Sequence, residues 1–251
     1  MSDVRAMILS AGLGTRMRPQ TLAKPKPLVE VGGRPLIDFA LATLVAADIR
    51  DVVINLHHLG DQIRDYLGNG HARGLRIEYS LEEVLQGSGG GVREARLLLG
   101  TGTFVTLNAD TLIGIDLRPF LEEHHSRAAA ATLILRKDPE MDRFGTIGIG
   151  PNGRIRRFLD HMAPSAPDRG KPYMFTGVQI LEQRVFEYME QAGPFSITEV
   201  TYPRMLAAGE PLFGSVFSGP WLTVGTPEER AAAEASLRRR ALDWPPWMGL
   251  S

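Results

Sequence analysis

Near the N-terminus the sequence reads Val4-Arg5-Ala6-Met7-Ile8-Leu9-Ser10, followed at once by Ala11-Gly12-Leu13-Gly14-Thr15-Arg16-Met17-Arg18-Pro19. The first seven residues are an apolar run broken by one arginine, the pattern of a parallel strand buried on both faces. The glycine-rich turn after it lets backbone N–H groups approach an anion closely, and Arg16 and Arg18 add charge-assisted hydrogen bonds. Gly-x-Gly on its own also reads as a tight strand exit. No third glycine follows at the Rossmann spacing, and no Gly-Lys-Ser/Thr closes a Walker A loop.

Outward from this strand the pattern alternates. Residues 36–47 read as a helix, 51–55 as a strand, 59–68 as a helix, 75–80 as a strand, 91–100 as a helix and 104–108 as a strand ending at Ala109-Asp110. Such alternation implies right-handed βαβ units and a parallel sheet. After a helix at 117–127 the character changes. Strands at 129–137, 144–149 and 153–159 follow one another through short turns such as Pro151-Asn152-Gly153, the sign of antiparallel pairing. Residues 163–172 form a loop or small lid. A strand at 173–181, helices near 183–191 and 199–208, a strand at 212–217 and a charged helix at 227–240 complete the chain, before Pro245 and Pro246 stop it. The expected fold is α/β, a Rossmann-like mixed sheet with a parallel N-terminal half and an antiparallel C-terminal extension. A single domain is expected over residues 1–240, in halves 1–110 and 111–240, with a tail at 241–251.

The 251 residues are 43% hydrophobic and 23% charged, with 28 basic and 29 acidic side chains and no cysteine. Gly and Pro make up about 18%, below the roughly 25–30% of low-complexity chains, so a folded domain is expected. Without cysteine there is neither a disulfide framework nor a thiolate nucleophile, which fits a reducing, cytoplasmic compartment. The net charge of −1 speaks against a nucleic-acid or membrane-surface binder. No apolar run approaches the roughly 18 residues of a membrane span, and the early strand leaves no room for a signal peptide. Only four residues are lysine, and two of them stand in Lys24-Pro25-Lys26-Pro27. Prolines on both sides of Lys26 hold an extended backbone there and set the lysine at a defined distance from the glycine turn.

Together, AGLGTRMRP (11–19) and KPKPLVEVGGRPLI (24–37) resemble the sugar-1-phosphate nucleotidyltransferases, the nucleotide-sugar pyrophosphorylases. The resemblance runs over nearly the whole chain and implies the nucleotide-diphospho-sugar transferase type of fold. Gln86-Gly87-Ser88-Gly89-Gly90-Gly91-Val92 is similar to the family's base-holding loop, which implies Gly87, Ser88 and Gly89 as nucleotide contacts. From the residues alone, this run reads as readily as a helix N-terminus capped by Ser88. Leu107-Asn108-Ala109-Asp110 resembles the family's metal-binding segment and implies that Asp110 holds Mg²⁺, a hard cation suited to a carboxylate at a strand end. Read alone, Asp110 is also a turn or helix cap. Phe175-Thr176-Gly177-Val178 resembles the acceptor-side strand and, with Asn108, implies sugar contacts by Asn108, Thr176 and Gly177.

Two positions depart from the family pattern. Trp221-Leu222-Thr223-Val224-Gly225-Thr226 matches W-x-D-x-G-T except at its centre, where Thr223 replaces a second metal-binding Asp and supplies only a neutral oxygen. At 157–161 many members carry Glu-Lys-Pro, which Asp160 and His161 replace here, leaving Lys171 as the stand-in for an acceptor-phosphate lysine.

The resemblance implies an enzyme that transfers a nucleotidyl group from an NTP, GTP or UTP favoured, to a sugar 1-phosphate with Mg²⁺. Ala11, Gly12, Gly14 and Thr15 would hold the triphosphate, and Arg16 and Lys26 would be the catalytic residues. The 111–240 half would bind the sugar. Homo-oligomers are common in the family, so one is expected by analogy, with no nucleic-acid or membrane partner. The lack of a hexapeptide array after residue 225 is like the short single-domain uridylyl- and guanylyltransferases. Thr223 motivates an alternative, a regulatory homologue that binds nucleotide-sugars with impaired catalysis. The pairs His57-His58 and His124-His125 are not expected to bind metal, since neighbours in sequence rarely point together. Trp244 and Trp247 are expected to pack on the body or on a neighbouring subunit.

Overall fold

The structure, a computed structural model, describes residues 4–139, 141, 145–239, 242 and 244–248. The N-terminal run becomes β1 (Arg5–Leu9), in which Ala6, Met7 and Ile8 are fully buried. Alternation along the strand sends Ala6 and Ile8 into one apolar cluster and Met7 into another on the opposite face. Met7 and Ile8 each contribute about 1.5–3 kcal/mol by leaving water.

Beyond a short hairpin of β2 (Glu30–Val31) and β3 (Arg34–Pro35), the chain forms α1 (Leu36–Ala46), β4 (Asp51–Leu56), α2 (Gly60–Leu67) and β5 (Arg76–Leu81). It continues through α3 (Gly87–Glu94), α4 (Arg96–Leu99) and β6 (Phe104–Asn108). β5, β4, β1 and β6 lie side by side in that order, all parallel, as the alternation predicts. The helix expected at 91–100 begins earlier, at Gly87, and is interrupted at Ala95, which caps both α3 and α4.

The second half supplies β7 (Thr111–Ile113), α5 (Arg118–Ser126), β8 (Ala131–Arg136), β9 (Thr146–Ile149), β10 (Ile155–Phe158), β11 (His161–Met162) and the long β12 (Lys171–Leu181). Then come α6 (Tyr202–Ala207), β13 (Leu212–Val216), β14 (Trp221–Thr223) and α7 (Pro227–Arg238). β9 and β10 form the expected antiparallel hairpin, but β8 does not join it. β8 pairs antiparallel with β12 and parallel with β13, so the extension is mixed rather than antiparallel throughout. The cause is the length of β12. Its eleven residues serve β8 along one edge, while on the other edge 179–181 pair with β6 and 171–174 pair with β9. Between those two partners the strand bulges, and Gly177 there has φ of +89°.

Two expected helices take other forms. Residues 183–188 are a 3₁₀ helix, and a π-helical turn at 197–201 leads into α6, whose first turn contains Pro203. The N-terminus of the strand expected at 144–149 and the end of the helix expected at 227–240 lie outside the described residues, as does much of the 241–251 tail. Pro246–Met248 make a 3₁₀ turn; Met248 is buried, and Trp244 packs beside it on a cluster with Phe39 and Leu112. Trp247's side chain is outside the described set. No helix among the described residues is long and apolar enough to cross a membrane.

Glu182, which follows β12, accepts a hydrogen bond from the Thr103 hydroxyl at 2.6 Å and meets Nε2 of the buried His124 at 3.1 Å. Burial pushes its carboxyl up. The hydrogen bonds from His124 and Thr103 and the charges of His124 and His125 more than offset this, so Glu182 titrates below the ordinary glutamate value. A carboxylate depressed in this way adds stability above its ordinary value, and that stability is lost as pH falls through its folded value. Glu182→Gln is therefore expected to flatten the acid side of the stability profile. Urea midpoints from neutral pH down through the carboxylate range test this, and parallel losses in wild type and variant would contradict it.

Candidate functional site

From β1 the chain builds outward to β4 and β5, then returns to lay β6 on the other side of β1. The order therefore reverses between β1 and β6, and the segments leaving their C-terminal ends diverge into a crevice, the place where open α/β sheets take ligands. A cleft of about 430 Å³ lies there.

One wall is the turn after β1. Ala11, Gly12, Gly14, Thr15 and Arg16 all line the cleft. Gly14 has φ of +61°, and an added Cβ would lie 2.9 Å from the Thr21 methyl, so only glycine suits the turn. Its carbonyl accepts from the Thr21 hydroxyl at 2.7 Å and from Met17 N–H at 2.9 Å, which closes a 3₁₀ turn at Thr15–Met17. Among the described residues, the N–H groups of Gly12, Leu13 and Gly14 donate to no protein acceptor. Three adjacent unengaged amides beside a cleft are what an anion cradle requires.

Beside them stands Lys26, whose Cβ lies 3.3 Å from where a Cβ on Gly14 would be. Pro25 is extended as expected, with φ −64° and ψ 144°, but Lys26 itself opens a 3₁₀ turn through Leu28 instead of continuing extended. Its Nζ meets Asp110 Oδ2 at 2.5 Å across 84 positions of sequence, with side chains 12% and 31% exposed. The carbonyl of Asp110 accepts from Val224 N–H at 3.0 Å, and Thr111 pairs with Thr223 between β7 and β14. This register carries the closing W-L-T-V-G-T element to Asp110. Gly225 lines the cleft, and a Cβ there would come within 2.9 Å of Arg16 Nη2, so glycine leaves room for the guanidinium.

Of the residues expected to meet the sugar, Asn108 lines the cleft and lies against Gly177, whose added Cβ would be 2.5 Å from Asn108 Nδ2. Thr176 is placed otherwise. It is buried, and its hydroxyl donates to the Ile134 carbonyl at 2.8 Å, so it holds the bulge together instead of facing the cleft.

Of the residues expected to meet the base, Gly87 and Ser88 line the cleft, whereas Gly89 does not. Gly89 is buried under Phe195, to whose carbonyl its N–H donates at 2.9 Å, and a Cβ would strike the Phe195 ring. Ser88 is not a helix cap. Gln86 holds that position, and Ser88 Oγ accepts from Ile197 N–H at 3.1 Å.

Spacing did not reveal the floor. Asn55 Oδ1 accepts from Ser10 N–H at 2.7 Å, Asn55 Nδ2 donates to Glu82 Oε1 at 2.7 Å, and Glu82 Oε2 accepts from Gln86 N–H at 2.9 Å. Ser10, Asn55 and Glu82 are all buried, and all three line the cleft. The network ties the exit of β1 to the start of α3. The signal in the sequence was a polar residue at or just past the C-terminal end of each strand, which in this fold class marks a ligand edge.

The proposed acceptor substitutes lie elsewhere. Asp160 and His161 are exposed at the outer strand β11, and Lys171 lines a different cleft. His57 and His58 point apart, to the carbonyls of Glu82 and Thr21. The described residues contain no group of three or more His, Cys, Asp or Glu suited to a metal.

Known proteins resemble this chain over most of its length. The nucleotidyl transferase family profile matches residues 5–240. A mannose-1-phosphate guanylyltransferase of Mycobacterium tuberculosis is 32% identical over 238 residues, covering 94% of this chain, which spans 65% of that relative's length. An N-acetylmuramate alpha-1-phosphate uridylyltransferase of Caulobacter vibrioides is 36% identical over 245 residues, covering 92% of this chain and 96% of that protein. The fold matches that of a Bacillus anthracis protein provisionally named a glucose-1-phosphate thymidylyltransferase, with a TM-score of 0.80, 24% identity and coverage of 98% and 99%.

Proposed function

The chain belongs to the nucleotidyl transferase family, and on that premise we propose that it joins an NTP to a sugar 1-phosphate, giving an NDP-sugar and pyrophosphate. The observation that carries this reading is Lys26 and Asp110 set against a row of unengaged backbone amides at the β1/β6 reversal. An oxygen of the sugar phosphate attacks the α-phosphorus. The bond from that phosphorus to the bridging oxygen breaks, and pyrophosphate leaves with the electron pair. The nucleophile is already an anion, so no general base is required, and the protein contributes position and charge.

Residues 1–110 would hold the nucleotide and residues 111–240 the sugar within one domain over 1–240. The amides of Gly12 to Gly14 take phosphate oxygens, and Arg16 meets charge building on the leaving pyrophosphate. Lys26 exchanges Asp110 for a phosphate oxygen. Gly87 and Ser88 border the base, and Asn108 and Gly177 border the sugar. Mg²⁺ suits one carboxylate completed by phosphates and water, and Asp110 fits, its Oδ1 having only a 3.4 Å contact from the Thr111 hydroxyl. Asp110 would hold the ion, with Thr223 beside it as a neutral neighbour, and the ion would offset phosphate charge.

The test is pyrophosphate release in Mg²⁺ with GTP or UTP and a panel of sugar 1-phosphates, the named relatives indicating where to begin. At least one pair is expected to react. Thr223→Asp is expected to lower the Mg²⁺ concentration giving half-maximal turnover. Nucleotide binding without release from any pair would favour the non-catalytic, regulatory alternative.

A further inference from the structure

A second cleft, of about 730 Å³, shares no lining residue with the first. It lies between the C-terminal end of α5, the turn at 150–153 and the segment 168–173. Its lining carries four cations, Arg127, Arg156, Arg169 and Lys171, against the carboxylates Glu123 and Asp168. In a chain of net charge −1 this is a local positive excess.

The two acids are already engaged. Glu123 pairs with Arg127 Nη2 at 2.7 Å and accepts the Ser215 hydroxyl, and Asp168 pairs with Arg156 at 2.7 Å. Arg127 Nη1 is buried with no hydrogen-bond partner. Arg169 and Lys171 have no carboxylate partner among the described residues, and Lys171 Nζ stands 5.6 Å from the Tyr173 ring centre.

The backbone that presents these cations is tightly seated. A Cβ on Gly148 would fall 1.7 Å from the Arg169 carbonyl oxygen, and Gly170, at φ +69°, sits with the Ile149 backbone 2.7 Å from where its Cβ would be. Residues 169–171 therefore rest directly on the end of β9, which fixes the backbone that carries both exposed cations.

We propose that this cleft is a second ligand site that takes a phosphorylated small molecule, with the phosphate among Arg156, Arg169 and Lys171. Guanidinium forks match phosphate oxygens in pairs, and lysine adds a compact charge. The volume falls within the roughly 300–1,000 Å³ of small-molecule sites, more than inorganic phosphate fills. Tyr173 and Ile149 offer the remainder of the ligand an apolar wall.

The test titrates the full chain calorimetrically with glucose 6-phosphate, ribose 5-phosphate and AMP, in wild type and in the double variant Arg169→Ala/Lys171→Ala. Circular dichroism confirms that the variant is folded. At least one probe is expected to bind wild type and to lose about 10²-fold in affinity in the variant, roughly tenfold for each charged contact removed. Binding of GTP or UTP is expected to stay unchanged. Equal affinities in both proteins, or no probe bound by wild type, overturns the proposal. The readout is binding and not turnover, so it stands or falls apart from the transfer reaction.

Discussion

Lys26→Ala is expected to lower kcat for pyrophosphate release by about 10²–10³-fold, the loss typical of one charge-stabilising contact removed from a transition state. The residue's setting supports a loss of that size. Its backbone is held between Pro25 and Pro27 in a 3₁₀ turn, its side chain is only 12% exposed, and the ammonium is already inside the cleft on Asp110. When phosphates arrive, the charge has a short distance to move and little water to shed. Lys26→Arg keeps the charge but replaces a compact ammonium with a broad planar fork, so it is expected to recover only part of the rate. The thermal midpoint is expected to change little, because the abandoned Asp110 is 31% exposed and can be hydrated. Steady-state kinetics together with thermal unfolding separates the two effects. A Lys26→Ala protein with undiminished turnover would remove the lysine from the mechanism.

Gly87→Ala is expected to lower Tm by roughly 5–10 °C, from a destabilisation of about 3 kcal/mol in a domain of this size. Two costs coincide there. With φ of +71° the backbone is in a region that costs a side-chain-bearing residue about 1–3 kcal/mol. The new methyl would also lie 2.6 Å from the Phe195 carbonyl oxygen, which is backbone and cannot turn aside. Relief requires separating segments tied by Phe195 N–H to the Gln86 carbonyl and Gly89 N–H to the Phe195 carbonyl, both at 2.9 Å. Because Gly87 and Ser88 line the cleft, the same shift is expected to weaken nucleotide binding. Gly12→Ala is the contrast. Nothing lies within 4 Å of its added Cβ, so Tm is expected to stay while the cradle narrows. Equal melting of Gly87→Ala and Gly12→Ala would show that the Phe195 contact is not made.

Much of the candidate cleft was legible because its parts are local in sequence. A glycine turn directly after a strand, a lysine between prolines and an aspartate at a strand end each depend on the conformational preferences of a few neighbouring residues. The family resemblance implies Gly89 and Thr176 as contacts too: Gly89 adjoins Ser88, which lines the cleft, and Thr176 adjoins Gly177, which lies against the cleft-lining Asn108. What separates them from those neighbours is Phe195 for Gly89 and the Ile134 carbonyl for Thr176, and no local pattern points to a partner so far along the chain. The acceptor side was least legible. Lys171 belongs to the strand that bears Gly177, yet at roughly 3.3 Å per residue it stands about 20 Å away, beside β9 instead of β6.

The sequence by itself determined the strand–helix alternation, the parallel N-terminal half, the glycine turn and the lysine set near it. Periodicity and backbone preference act over a few residues, and that is the range over which these features are decided. Only the tertiary structure decided that β6 returns to the far side of β1, that β12 divides one edge between β6 and β9, and that Lys26 meets Asp110. It also closed Asn55 and Glu82 into a buried floor and drew four cations into a second cleft. Strand order depends on which exposed edge wins a partner, a competition among segments far apart in the chain, and a local pattern carries no record of its outcome.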